Sequence, residues 1–180
     1  MSLKSGGEKS KNKTNFSEEN KVNKSLFKKI NQILEIVLLE NKKLKNYKEK
    51  LISQKNMCFS SSSIPSIELK KYLERIIIYT ESEESTIIIA LIYIDRLSKF
   101  SGIILTPYNI HRIIFVAILI AIKYNEDNIF TFDFYSQVAG ISINELRILE
   151  FEFVCLLKFK LFINKKEFEK YKVYIDDIEE

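Results

Sequence analysis

The sequence predicts an all-α protein, and three observations carry that expectation. The first is a run of ten consecutive apolar residues, Ile113–Ile122, inside TPYNIHRIIFVAILIAIKYN. At helical pitch ten residues make nearly three turns, so every face of that helix is apolar. The second is a shortage of turn formers: four glycines and two prolines in 180 residues, with no alternating strand pattern. The third is that Ser, Glu and Gly punctuate a series of segments whose apolar residues recur at helical spacing. The apolar run is too short to cross a bilayer, which takes about 20 such residues. It must be enclosed by other helices, as the central member of a bundle.

Taken in order, residues 1–20 are polar, with Phe16 as the sole aromatic. They cannot bury enough surface to offset the entropy of ordering, which predicts a disordered tail. Within 21–56, Leu26, Ile30, Ile33, Val37, Leu44, Tyr47 and Leu51 form a seven-residue-like stripe, widened by Leu34 and Leu38 and interrupted at Glu40. One amphipathic helix packing on its own domain is expected, and a coiled-coil or partner helix is the competing reading.

Residues 57–64 are a serine-rich connector, and five helices are expected over 65–162. Ser66, just after Pro65, can cap the first of them, which ends near Thr80. Ser85 can cap the second, Thr86 to Phe100, with Gly102 placed for a left-handed end. Thr106 and Pro107 read as the N-cap and first turn of the central helix. Tyr135 to Ala139 is a short helix ended by Gly140. Ser142 with Glu145 makes a capping box for the last helix, whose stripe is Leu146, Leu149, Phe153, Leu156 and Leu157. Residues 163–180 are a carboxyl-terminal extension.

Charge and composition then exclude several classes of function. Residues 1–56 hold 14 Lys against six Glu, a net +8, and the rest of the chain is at −4, for a total of +4. The basic segment lacks Arg clusters and interleaved aromatics, so nucleic-acid binding is not expected. Cys58 and Cys155 stand far apart without a CxxC, and His111 is the sole histidine, which argues against zinc or a disulfide framework and fits a reducing, intracellular setting. Two glycines in the folded part cannot build a phosphate-cradling loop, so no cofactor is expected. His111, in the first turn of the central helix, reads as structural. Glu150 and Glu152 fall about 200° apart on a helix and do not converge on a substrate. Neither catalysis nor a small-molecule substrate is expected.

The stretches IPSIELKKYLERIIIYT, ALIYIDRL, LTPYNIHRIIFVAILIAIKYNED and FYSQVAGISINELRILEFEFVCLLKFKLFI, in that order and spacing, resemble a cyclin box. The likeness is to the phosphate-pathway and P- and U-type cyclins of fungi, plants and protists, and it runs from about Phe59 to Tyr171. It implies a single five-helix cyclin box with a preceding amphipathic helix. It also implies a non-catalytic regulatory subunit that binds and activates a cyclin-dependent kinase in the nucleus or cytoplasm, with no membrane association. The family's signature cation matches Lys123, and its acidic partner matches Glu150. By residue match, Ile120, Tyr124, Val154 and Leu161 line the apolar groove beside them.

The resemblance further implies that Asp95, in YIDRL, is a structural buried acid. The family's usual MRAIL-type start, which supplies its arginine, is missing here, and Arg75 of YLERI is the expected substitute partner. Two other classes compete. One is a cyclin-fold transcription or adaptor module, which would show paired boxes and basic surfaces. The other is a helical scaffold dimerising through residues 26–51.

Overall fold

The computed structural model describes residues 22, 24–55 and 57–178. The predicted polar tail at 1–20 lies outside them. Every regular element among the described residues is helical: α1 (Lys24–Lys42), α2 (Tyr47–Gln54), α3 (Leu69–Thr80), α4 (Glu84–Ser101), α5 (Ile110–Asn125), α6 (Phe132–Ala139), α7 (Ile143–Leu156) and α8 (Lys165–Asp176). The five helices expected over 65–162 are α3 to α7.

The apolar run becomes the axis of the bundle. Ile113 through Ile122 are each at most 3% exposed. Helix α4 covers α5 along its length, and α3, α6 and α7 close the remaining sides. The run Ile87–Ile94 on α4 is buried in the same core. Burying a Leu or Ile side chain is worth roughly 1.5–3 kcal/mol, so this pair of helices supplies much of the driving force for collapse.

Several ends form as the sequence suggests. Gly102 and Gly140 terminate α4 and α6 at φ +70° and +74°, the left-handed region that a side chain resists. Ser142 Oγ accepts the Glu145 amide at 3.1 Å. The capping box stays half closed, because the Glu145 carboxylate goes to Arg112 instead, at 2.5 Å.

Other boundaries differ, each for a local reason. Helix α5 starts at Ile110, capped in position by Asn109 rather than Thr106. Asn109 is 2% exposed; its Oδ1 accepts the Thr106 amide and its amide donates to Ile104 O and Gln54 Oε1. Three bonds from one buried amide fix the turn that contains Pro107. Neither Ser66 nor Ser85 caps a helix, since α3 and α4 begin after Glu68 and Glu83. Helix α6 starts three residues early, where Thr131 Oγ1 accepts the Phe134 amide.

The single helix expected over 21–56 is two. The chain turns at 43–46, with Asn41 Nδ2 donating to Leu105 O and Lys50 Nζ to Gly102 O. Those bonds pin α1 and α2 to the link that precedes α5. Leu44, which would continue the stripe, is 43% exposed and has no core to follow. Leu26, Ile30 and Leu34 of α1 are buried in this domain, while Ile36 and Leu39 of the same helix are 47% and 57% exposed.

The extension at 163–180 carries a helix that periodicity did not reveal. Asn164 Oδ1 caps α8 through the Glu167 amide, and Ile175 enters the core. Helix α8 packs on α4 and on α1.

Candidate functional site

Lys123 sits in the last turn of α5, where backbone carbonyls lacking intrahelical donors make a cation favourable. Its ammonium Nζ lies 2.6 Å from Glu150 Oε1 on α7, with the two side chains 33% and 23% exposed. The same nitrogen is 4.6 Å from the centroid of the Phe132 ring at the start of α6. The end of α5, the start of α6 and the middle of α7 therefore meet at one partly exposed charge.

The surface beside this pair is apolar and open. Tyr124 is 51% exposed, and Val154 and Leu161 are half-buried. Ile120, matched to the groove by resemblance, is only 3% exposed and belongs to the core beneath it. Tyr124 and Leu161 join Arg96, Phe100, Phe159, Lys160 and Phe162 around a shallow cleft of about 450 Å³. Phe159 and Phe162 are 70% and 72% exposed, and neither was singled out from the sequence. Their signal was present in LKFKLF, where aromatic rings recur in a charged setting without a continuing helical stripe.

The cause of that exposure lies in α4. Arg96 donates to Lys160 O at 2.5 Å and Phe162 O at 3.1 Å, and grips the Glu167 carboxylate at 2.7 Å. Tyr93 donates to Leu161 O at 2.9 Å; burial pushes its phenol up to about 12. Two α4 side chains thus hold the carbonyls of residues 160–162 inward, and the rings at 159 and 162 face solvent. Lys158 and Phe159 adopt left-handed φ of 54° and 57°, a conformation that costs a non-glycine residue roughly 1–2 kcal/mol. Strain of that kind is retained where the surroundings over-determine it, often at binding surfaces.

The expected buried pair of Asp95 with Arg75 does not form. Asp95 is 38% exposed at its side chain, and its Oδ2 accepts from Lys99 Nζ at 2.7 Å and from the Tyr171 hydroxyl. Helix α8, which the sequence reading left out, brings that hydroxyl. Burial first, then the hydrogen bond and charge of Asp95, raises the Tyr171 phenol above its ordinary value. Arg75 faces α6 instead: its guanidinium lies 5.0 Å over the Tyr72 ring and donates to Ala139 O at 3.4 Å.

His111 shares that side of the bundle, 5.0 Å from Tyr72, with Nε2 at 3.0 Å from Ile67 O. Burial is the main cause that lowers its pKa below the ordinary value. Among the described residues no group of His, Cys, Asp and Glu could hold a metal ion, and no helix is long and apolar enough to cross a membrane.

Comparison with known proteins places this chain in a family. The cyclin family model matches residues 6–161. Cyclin-U2-1 of Arabidopsis thaliana is 35% identical over 123 residues, 68% of this chain and 55% of that protein. Cyclin-U1-1 of the same plant is 34% identical over 119 residues, 66% of this chain and 57% of that protein. Cyclin-P3-1 of Oryza sativa subsp. japonica is 30% identical over 125 residues, 69% of this chain and 53% of that protein. The chain spans about half the length of the curated relatives it matches.

Proposed function

The chain belongs to the cyclin family, and on that premise we propose that it is a non-catalytic regulatory subunit that binds and activates a cyclin-dependent kinase. Cyclins are regulatory proteins, so the absence of a convergent acid–base pair in the sequence fits the family role. The observation that carries the reading is the Lys123–Glu150 pair at 2.6 Å, next in the chain to exposed Tyr124, which shares a cleft with exposed Phe159 and Phe162.

An ammonium has three donors and a carboxylate several acceptor sites. After pairing with each other, both retain capacity for the backbone groups of a docked helix, and the exposed rings supply apolar burial around them. A helix laid across the end of α5 and the middle of α7 would desolvate the pair, and such hydrogen-bonded charge pairs at the centre of an apolar contact act as binding hot spots. The scaffold alternative would have to use the apolar residues of 26–51 that stay exposed, such as Ile36 and Leu39, since Leu26, Ile30 and Leu34 are buried in the core.

The test is the double variant Lys123→Glu, Glu150→Ala, assayed against a panel of purified cyclin-dependent kinases. Truncating one partner of a buried charge pair at an interface weakens binding by about 2–5 kcal/mol, so kinase binding and activation should be lost while circular dichroism stays helical. A folded double variant that still binds and activates a kinase would refute the assignment of this surface.

A further inference from the structure

The Lys123 ammonium is held by more than Glu150. Its Nζ is 4.6 Å from the centroid of Phe132, and the guanidinium carbon of Arg147 is 5.8 Å from the same centroid. Phe132 is the first residue of α6, half-buried, and the turn it opens is fixed by the Thr131 hydroxyl accepting the Phe134 amide. A lysine ammonium is a point charge on a flexible four-carbon stem. One bond to one carboxylate oxygen limits its distance from Glu150 but leaves it free to swing about that oxygen. The negative face of an aromatic ring supplies a second, directional attraction. It also draws in Arg147, a like charge that would otherwise repel Lys123.

We propose that Phe132 is a positioning residue. Its ring holds the Lys123 ammonium beside Glu150 in the orientation that leaves an N–H free for a partner's backbone carbonyl, and it couples that orientation to where α6 begins. The proposal rests on the kinase-binding reading above and adds a determinant on a third helix, one that nothing in the Lys123 and Glu150 motifs anticipates.

Two variants separate the ring's electronic role from its packing: Phe132→Leu keeps apolar bulk without a π face, and Phe132→Tyr keeps the ring. The first readout needs no partner. In proton–carbon correlation spectra of the free protein, with Lys123→Arg for assignment, the Lys123 ε-methylene should be shifted upfield by the ring current. That shift should persist in Phe132→Tyr and vanish in Phe132→Leu. The second readout is calorimetric affinity for a panel of purified cyclin-dependent kinases. Phe132→Leu should weaken binding about two- to fivefold, the worth of a partly exposed cation–π contact, and tyrosine should restore it. Identical Lys123 signals in wild type and Phe132→Leu, or unchanged affinity with the signal moved, would overturn the positioning role. A wild-type protein that binds no kinase in the panel would instead overturn the partner reading on which the role depends.

Discussion

Replacing Arg96 with alanine tests how the α4 side chains shape the cleft. The Arg96 side chain is 13% exposed, and it donates to two main-chain carbonyls and to both oxygens of Glu167. Hydrogen bonds from charged donors are worth about 1.5–3 kcal/mol each when lost. The two carbonyls lie at the surface and can take water in exchange, and Glu167 is 31% exposed, so its coupling to Arg96 is screened. Those discounts leave a net destabilisation of about 2–4 kcal/mol. For a chain of this size that is a fall of roughly 5–15 °C in Tm.

The assay is urea unfolding followed by circular dichroism, with Glu167→Ala and the double variant completing a cycle. The Arg96–Glu167 coupling should be about 1 kcal/mol, and the larger remainder should belong to the carbonyl contacts. Arg96→Lys should recover less than half of the loss, because one ammonium cannot reach three acceptors in the fork geometry of a guanidinium. An Arg96→Ala protein within about 0.5 kcal/mol of wild type would refute the claim that this residue holds the 160–162 backbone.

Three further outcomes follow from the described contacts. His111 has a pKa held below its ordinary value by burial. The unfolded chain therefore binds its proton first as pH falls, and stability should decline below about pH 6.5; His111→Gln should flatten that limb of a pH series of urea midpoints. Tyr171 and Tyr93 have raised phenols, so their contribution is complete below about pH 10 and lost as pH rises above it. Tyr171→Phe should soften the alkaline loss and, by removing the bond to Asp95, lower stability near neutrality by about 0.5–1.5 kcal/mol. Gly140→Ala should cost about 1–2 kcal/mol by forcing a side chain into the left-handed region, and a thermal melt equal to wild type would contradict that.

The sequence made the buried axis legible because ten apolar residues in a row admit one solution in a helical protein. It made Lys123 and Glu150 legible for a different reason, through motifs whose order matches a family, since a lysine at a helix end is ordinary on its own. The pairing of Asp95 was not legible. Its partner, Tyr171, lies 76 residues away on a helix whose composition is mostly Lys, Glu and Tyr. With only Ile175 fully buried, α8 shows little of the periodicity that marks a core helix. The turn at 43–46 was missed because the stripe continues on paper through Leu44, while the bonds that bend the chain are made by Asn41 and Lys50 to carbonyls more than fifty residues away. Phe159 and Phe162 look like core residues by type. Only the inward pull of Arg96 and Tyr93 on the backbone between them reverses their facing.

Helices α1 and α8 close a belt. Helix α1 lies against α3 and α8, α8 lies against α4, and Lys29 Nζ reaches the Asp176 carbonyl at 2.7 Å. A fragment cut to residues 65–162 would discard both buckles while keeping nearly all of the quoted family stretches, and would strip Leu26, Ile30, Leu34 and Ile175 from the core they complete. Such a fragment should be prone to proteolysis and self-association even though it contains the whole of the candidate kinase surface. Recombinant work on this chain should therefore choose its ends by the belt, with tags placed beyond α1 and α8, rather than by the limits of the recognisable motifs.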